Sequence, residues 1–240
     1  KAGLGRCPAD YERNRTRQTV MRSTTGAVMF KKIFLAALMI FITAVGAADA
    51  QDKKPVFHVM NLEGVITAPS AKYVAERLED AKQAGAEGLI ILMDTPGGLD
   101  TAMRDITKSI LNAPLPVIVY VYPSGARAAS AGVIIAQAAH IAAIAPGTNI
   151  GAAHPVAIGI GGTAELDKNM SKKVENDAAA YARSIAKIRG RSEEWVEKAV
   201  RKSESITADE ALKLKVIDIV APDLEKLLAA IDQKEVTVAG

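Results

Sequence analysis

One stretch of this chain guides the interpretation of the rest: GARAASAG at residues 125–132. It follows the apolar run PVIVYV at 116–121, which has the composition of a buried strand. The small neighbours of Ser130 leave its hydroxyl unscreened and leave room for a substrate backbone. A serine near a helix start usually serves only as an N-cap, so this stretch alone does not identify a nucleophile.

A second turn, DTPGG at 94–98, lies about thirty residues earlier and follows the apolar run GLIILM at 88–93. Glycines allow a turn to aim backbone N–H groups at one point, as the oxyanion of an acyl-transfer reaction requires. Pro-Gly-Gly by itself marks many ordinary turns. Because each turn directly follows a predicted buried strand, the pair indicates acyl-transfer chemistry at Ser130.

Five further stretches carry a family resemblance: YVYP at 120–123, APGTNIGA at 145–152, KVEND at 173–177, GR at 190–191 and ITADEA at 206–211. With the two turns, they make the chain resemble the ClpP/crotonase superfamily over about residues 54–228. Within it, the chain is most similar to the NfeD-type membrane-associated serine proteases, ClpP-class partners of stomatin-like proteins. The resemblance implies an α/β fold: a ClpP/crotonase-like spiral of ββα units, with a mostly parallel sheet covered by helices.

Hydrophobic periodicity independently predicts alternating strands and helices. Strands are expected at 56–66, 88–93, 117–121, 141–145 and 216–220. Helices are expected at 70–83, 99–111, 130–138, 171–189, 192–203, 209–214 and 224–231, with a flexible loop at 158–165. Near-continuous apolar strands separated by helices are typical of a parallel sheet covered on both faces.

A serine hydroxyl needs a proton acceptor to become a useful nucleophile at neutral pH, and two side chains compete for that role. His154, 24 residues after Ser130, lies about where ClpP has its catalytic histidine. The resemblance to NfeD-type proteases, which work with a Ser–Lys dyad, instead implies Lys173. A histidine base needs a carboxylate to orient it, but the ClpP aspartate position falls on Ser203, which leaves that triad incomplete.

A lysine base needs only desolvation, which favours the neutral amine. The small apolar run at 178–180 is predicted to bury the Lys173 amine. We therefore favour Lys173, with His154 as a site-lining residue or alternative base. Lys172 is the rival if the register differs by one residue.

The resemblance also implies the oxyanion donors, which would be the backbone N–H groups of Gly98 and Ala131. From the residues alone, Asp94 is expected to fix the Gly-Gly turn through a bond from its side chain to the backbone. These residues complete the predicted site, for which we expect no cofactor and no metal.

The leading functional hypothesis is a serine endopeptidase that cleaves apolar segments of a membrane or stomatin-like partner. One alternative is a catalytically idle ClpP-like scaffold or interaction domain, since fold does not guarantee activity. Others are a Ser–His peptidase using His154 and a crotonase that processes acyl-CoA, the latter disfavoured by export. The competent residue types at every proposed catalytic position favour an enzyme.

Composition limits the other function classes. The formal net charge is +3, and much of it lies in arginines before Met29, with no later basic stripe to indicate nucleic-acid binding. Cys7 is the only cysteine and lies in this leader, so the region after it has no disulfide or thiol nucleophile.

The N-terminal region is predicted to direct export. Residues 1–28 are interpreted as an upstream, non-native leader, and residues 29–50 as a signal peptide cut before Gln51. The apolar segment at 33–46 would span only about 21 Å as a helix, less than the roughly 30 Å of membrane hydrocarbon. Residues 51–240 are then a ClpP-like protease domain, periplasmic or otherwise extracytoplasmic, membrane-associated if a longer C-terminal region exists, and homo-oligomeric as a dimer or larger.

Overall fold

The computed structural model describes residues 55–156 and 167–239, together with the backbone of two short strands between these ranges. The predicted leader, signal peptide and cleavage point lie outside the described residues. None of the helices in the described ranges is both long and apolar enough to cross a membrane.

Five parallel strands form the main sheet. In spatial order they are β1 (Phe57–Glu63), β2 (Gly88–Asp94), β3 (Val117–Val121), β5 (Ile141–Ile144) and β10 (Ile219–Val220). Every residue of β3 is buried, as expected for a strand covered on both faces. The predicted α/β fold with a mostly parallel sheet is therefore confirmed, although its last strand is shorter than the predicted 216–220.

A second layer contains three strands of three residues each: β4 (Arg127–Ala129), β6 (Asn149–Gly151) and β9 (Ser205–Thr207). Strands β4 and β6 are parallel, whereas β6 and β9 are antiparallel. Isolated parallel bridges join Ile66 to Gly98 and Thr95 to Ala128. Main-sheet strands are thus followed by a short second-layer segment before a helix, which is the ββα spiral that the resemblance implied.

Within the described ranges, the helices agree with the predicted number and order. They are α1 (Ala68–Gln83), α2 (Asp100–Leu111), α3 (Ala131–Ala138), α4 (Lys168–Ile188), α5 (Glu193–Lys202), α6 (Ala208–Lys213) and α7 (Leu224–Ile231). Helix α1 begins two residues before the predicted start because Pro69 fits its first turn and the Thr67 N–H donates to Ser70 Oγ. Helix α4 begins three residues early.

The segment predicted as a flexible loop contains two short strands, β7 (Ile158–Gly159) and β8 (Gly162–Thr163). They pair antiparallel, so the prediction of a loop is wrong for these four residues. Their register places Ile158 opposite Thr163.

The hydrophobic core consists of two clusters on opposite faces of the main sheet. Because strand side chains alternate between faces, Leu89, Ile91 and Met93 of β2 enter the larger cluster, while Ile90 enters the smaller. The larger cluster includes residues of α1 to α5, and the smaller lies against α7. Strands β2 and β3 end in turns 94–98 and 122–126 at one edge of this packed sheet, which brings the two predicted functional turns together.

Candidate active site

Ser130 occupies a sharp turn between strand β4, which ends at Ala129, and helix α3, which begins at Ala131. Its φ of 51° and ψ of −112° lie in a region that residues with side chains rarely adopt. The Ser130 N–H donates to the carbonyl of Gly151 at 3.0 Å, which helps to fix this backbone. A strained strand-to-helix turn is also what exposes the nucleophile in G-x-S-x-G hydrolases.

The Ser130 hydroxyl does not cap its helix. Ser130 stands at the N-cap position of α3, yet its side chain makes no capping hydrogen bond. Ser192, at the same position of α5, accepts a hydrogen bond from the Trp195 N–H at 3.2 Å. The ordinary explanation for a serine at a helix start therefore fails for Ser130, and its hydroxyl is left for other chemistry.

The Gly97–Gly98 turn is pressed against Ser130. A Cβ atom on Gly97 would lie 3.1 Å from Ser130 Oγ and still closer to its Cβ atom. A Cβ atom on Gly98 would lie 2.1 Å from the carbonyl oxygen of Ile66, with which Gly98 forms a bridge. Neither position has room for a side chain, which accounts for both glycines.

Thr95 fixes the glycine turn from inside the protein. This buried residue donates from Oγ1 to the carbonyl of Gly64 at 2.7 Å, and the same oxygen accepts from the Gly97 N–H at 3.0 Å. Its backbone also pairs with Ala128 in strand β4. Thr95 thus links the glycine turn to the strand that leads to the serine, a role that the sequence did not predict.

Asp94 fixes the start of strand β4. Its carboxylate accepts a hydrogen bond from the Arg127 N–H at 3.0 Å. The prediction that Asp94 fixes the Gly-Gly turn is therefore wrong in its partner, because Asp94 instead holds the start of β4. Arg127 itself is exposed.

Two backbone N–H groups next to Ser130 are suited to hold an oxyanion. Gly98 and Ala131 line the same cleft as Ser130. Among the residues that the structure describes, neither N–H donates to another backbone group. The Ala131 N–H lies in the first turn of α3, where the helix dipole adds partial positive charge.

Ser130 opens into a cleft with a volume of about 440 Å³. Helices α2, α3, α4 and α5 and the segment after β6 all contribute to its wall. The lining residues are Gly98, Asp100, Met103, Arg104, Ser130, Ala131, Ile134, Ala153, Pro155, Val156, Lys173, Val174, Asp177, Ala178, Tyr181 and Val200. The cleft therefore brings together four predicted site residues from three parts of the chain: Gly98, Ser130 with Ala131, and Lys173.

Lys173 reaches the cleft from helix α4, but it is not buried there. Its side chain is exposed, as is that of Lys172, which does not line the cleft. The prediction that the run at 178–180 buries the Lys173 amine is therefore wrong. On a helix, Ala180 shares the Lys173 face and is exposed, whereas buried Ala179 points away from it.

His154 lies beside the cleft without lining it, although its neighbours Ala153 and Pro155 do. It is half-buried, and its Nδ1–H donates to the carbonyl of Val200 at 3.0 Å. Within the described ranges no carboxylate bonds to this ring. Ser203, at the position of the missing aspartate, is an exposed C-cap of α5, so the triad is not assembled.

A charged cluster centred on Arg104 forms part of the cleft wall. Its Nε donates to Asp100 at 2.8 Å and its Nη2 to Asp177 at 2.5 Å, while its guanidinium carbon lies 4.3 Å from the centre of the Tyr181 ring. Burial lowers the pKa of Arg104, but hydrogen bonds and charge from Asp100 and Asp177 together raise it above its ordinary value. The sequence did not predict this cluster, because 73 residues separate Arg104 from Asp177.

The described carboxylates of the cleft are not grouped as a metal site is. Across residues 55–156 and 167–239, no three His, Cys, Asp or Glu side chains come together in a group that could hold a metal ion.

The two-layer spiral and the serine at its strained turn define the ClpP-like fold class. The chain matches the structure of ClpP1 from Listeria monocytogenes with a TM-score of 0.56 over 70% of this chain and 94% of that chain. The two are 20% identical, so this likeness concerns the fold alone.

The chain belongs to the family described as NfeD1b, N-terminal domain, which its residues 56–240 match. It is 40% identical over 175 residues to the membrane-bound protease PH1510 of Pyrococcus horikoshii. The aligned region covers 73% of this chain and 39% of that protein. The chain thus spans about two fifths of the length of this curated relative.

Solved structures of the 1510-N membrane-bound stomatin-specific protease are also similar. A lysine-to-alanine variant in complex with a substrate peptide matches with a TM-score of 0.72 and 37% identity, over 78% of this chain and 84% of that chain. A serine-to-alanine variant matches with a TM-score of 0.71 and 37% identity, over 77% of this chain and 88% of that chain.

Proposed function

We propose that this chain is a serine endopeptidase in which Ser130 is the nucleophile and Lys173 the general base. One observation carries the proposal: the uncapped Ser130 hydroxyl, on a strained turn, shares a cleft with Lys173. The similarity to named proteases, solved as serine and lysine variants, supports these roles.

In the first step, Ser130 Oγ forms a bond to the peptide carbonyl carbon while its proton passes to the neutral amine of Lys173. The carbonyl electron pair moves onto oxygen, and the N–H groups of Gly98 and Ala131 hold the oxyanion. One such donor lowers the barrier by about 3–4 kcal/mol. Collapse breaks the C–N bond, and the Lys173 ammonium returns the proton to the leaving amine.

Water takes the place of the departed amine beside Lys173 and completes the cycle. Lys173 accepts a proton from water as the water oxygen bonds to the ester carbonyl carbon. The same two N–H groups hold the second oxyanion. Its collapse breaks the bond to Ser130 Oγ, which recovers its proton from Lys173, and the carboxyl product leaves.

Lys173 must be neutral to accept the serine proton, although its side chain is exposed in the empty cleft. A peptide that fills the cleft excludes water from the amine, and desolvation favours the neutral form of a lysine. Substrate binding therefore supplies the burial that the run at 178–180 does not. A bound peptide therefore makes Lys173 a more effective base.

Part of the cleft wall supports an apolar substrate. Met103, Ile134, Val174 and Val200 present apolar side chains to a bound peptide. Together with a relative specific for a stomatin homolog, this supports an apolar segment of a stomatin-like membrane protein as the substrate. The membrane-bound relative supports a membrane-associated location for the domain. Its placement outside the cytoplasm rests on the predicted export signal at 29–50.

The test uses an apolar peptide copied from a stomatin-like sequence and, independently, a fluorophosphonate probe. The probe bonds to an activated serine oxygen with loss of fluoride, so it reports on the nucleophile whatever the substrate is. Ser130→Ala should lose labelling, and both Ser130→Ala and Lys173→Ala should lose cleavage by several orders of magnitude. Lys172→Ala is the matched control, since this exposed neighbour does not line the cleft.

A folded wild-type chain that neither cleaves the peptide nor reacts with the probe would favour the idle scaffold instead. Loss of activity in Lys172→Ala with retention in Lys173→Ala would move the base by one residue.

A further inference from the structure

Lys173 has a carboxylate neighbour that opposes its role as a base. Asp177 follows it by four residues on helix α4, and both side chains line the cleft. Residues four apart on a helix have Cβ atoms about 5–6 Å apart, close enough for an ion pair. An opposite charge at that range favours the ammonium form of a lysine, which is unable to accept the serine proton.

In the structure, the Asp177 carboxylate is bound by an arginine. Arg104, from helix α2, bonds to Asp177 across the cleft and also to Asp100 on its own helix. Asp100 and Asp177 are the two carboxylate residues that line the cleft as described, and Arg104 binds both. Arg104 is held in turn by its stacking over Tyr181.

Other charged groups around Lys173 have different partners. Glu175 of helix α4 does not line the cleft, and its carboxylate is bound by Arg201 of helix α5 at 3.0 Å. Lys168 and Lys172 are exposed on α4. His154, from the segment after β6, is bonded to a backbone carbonyl. Of the carboxylates on helix α4 near Lys173, Asp177 is therefore the one whose availability depends on Arg104.

We propose that Arg104 is a positioning residue that keeps Lys173 available as a base by holding the Asp177 carboxylate away from it. This inference rests on the proposed role of Lys173. It differs from a simple structural tie between α2 and α4, because it predicts that removing Asp177 compensates for removing Arg104. If the bond served only to tie the helices together, both single variants and the double variant would be equally impaired.

The experiment measures the pH dependence of peptide cleavage and of fluorophosphonate labelling. In Arg104→Gln, the midpoint of the rise with pH should move up by about one unit, near the lower end of the shifts that a close opposite charge causes. Rates well below the midpoint then fall about tenfold. Asp177→Asn should not raise the midpoint, and Arg104→Gln/Asp177→Asn should return it to within about 0.3 units of the wild-type value.

Two matched variants separate this effect from anchoring and from net charge. Arg201→Gln removes contacts to Glu175 and Asn176 on α4 but leaves Asp177 bound, so the midpoint should stay in place. Arg77→Gln removes an arginine that is paired with Asp80 on α1 and does not line the cleft, so the midpoint should again stay in place. Thermal unfolding of each variant reports on folding, and recovery in the double variant excludes misfolding as the cause of the loss.

An unchanged midpoint in folded Arg104→Gln, or a double variant as impaired as the single one, would overturn the proposal. If Arg104→Gln does not fold, Arg104→Met with and without Asp177→Asn gives the same comparison, since methionine keeps an unbranched side chain but has no donor for either carboxylate. Full activity in Lys173→Ala would instead overturn the proposed function. The two failures are therefore distinguishable.

Discussion

A Cβ atom placed on Gly97 would lie 2.6 Å from the Cβ atom of Ser130, well inside the normal contact distance of two carbons. The glycine turn is therefore in direct contact with the proposed nucleophile. A hydrogen bond to Thr95 fixes Gly97, and the strained strand-to-helix turn fixes Ser130. Neither residue is therefore free to move away from the other. The placement of the proposed oxyanion donors depends on this packing.

Gly97→Ala should lower turnover by at least about 100-fold, since displacing an oxyanion donor removes about 10²–10³ in rate. The new methyl group forces the turn and Ser130 apart, and the φ of +116° at this position adds strain. Peptide cleavage measured alongside thermal unfolding checks the effect. Gly125→Ala is the matched control, because Gly125 has a φ of +92° but nothing within 4 Å of an added Cβ atom.

The control should lose stability from its backbone strain while keeping its turnover. Equal loss of turnover in the two alanine variants would show that positive φ, and not the contact with Ser130, is responsible.

Thr95→Val should lower both stability and turnover. Valine keeps the shape but leaves the Gly64 carbonyl and the Gly97 N–H without their partner, which costs about 1–3 kcal/mol when the group is buried. Thr95→Ser keeps the hydroxyl and should retain most of the activity. Urea unfolding and peptide cleavage measure the two effects, and a valine variant as active as the serine variant would contradict the assignment.

His140 should make stability depend on pH. Burial, with help from Arg189 and Arg191, lowers the pKa of this histidine to about 4, and its Nδ1 accepts from the Val117 N–H at 3.1 Å. The unfolded chain takes up this proton near pH 6.5 and the folded chain only near pH 4. Its contribution is therefore fully present above about pH 6.5 and is lost as the pH falls toward 4.

Between pH 7 and 4.5, the unfolding free energy of the wild type should fall by about 1–3 kcal/mol more than that of His140→Gln. Carboxylates titrate in both proteins, so the difference between them isolates His140. Parallel urea titrations that decline equally with pH would contradict the prediction.

The sequence predicted the parts of this fold that local patterns determine. Strands β2 and β3 are continuous apolar runs closed by turn residues, and they occur where predicted. Strands β4, β6 and β9 are only three residues long and carry no alternation of their own. They exist because distant segments pair, as Ile150 does with Ile206, and one sequence does not reveal such pairing.

The candidate site, like the fold, could be predicted from the sequence only in part. The sequence placed Ser130 at a strand-to-helix turn, but its positive φ follows from how β4 meets α3 and Gly151. The exposure of Lys173 and the bond between Arg104 and Asp177 depend on how helix α4 is rotated and where it lies relative to α2. Periodicity defines which residues share a helix face, not what that face meets.

The choice between the two bases is the most direct test of the proposed mechanism. Lys173→Ala and His154→Ala should be compared on one apolar peptide across the pH range. Lys173→Ala should lose as much turnover as Ser130→Ala, since members of one catalytic unit are strongly non-additive. His154→Ala should lose at most about tenfold, because its ring bonds to a backbone carbonyl and does not line the cleft.

The decisive measurement is turnover in these two variants, with the wild-type pH profile recorded under the same conditions. We predict an inactive Lys173→Ala, an active His154→Ala, and a wild-type rate that still rises with pH above about 6.5. An active Lys173→Ala and an inactive His154→Ala, with a rise centred near about pH 6.5, would contradict the Ser–Lys mechanism.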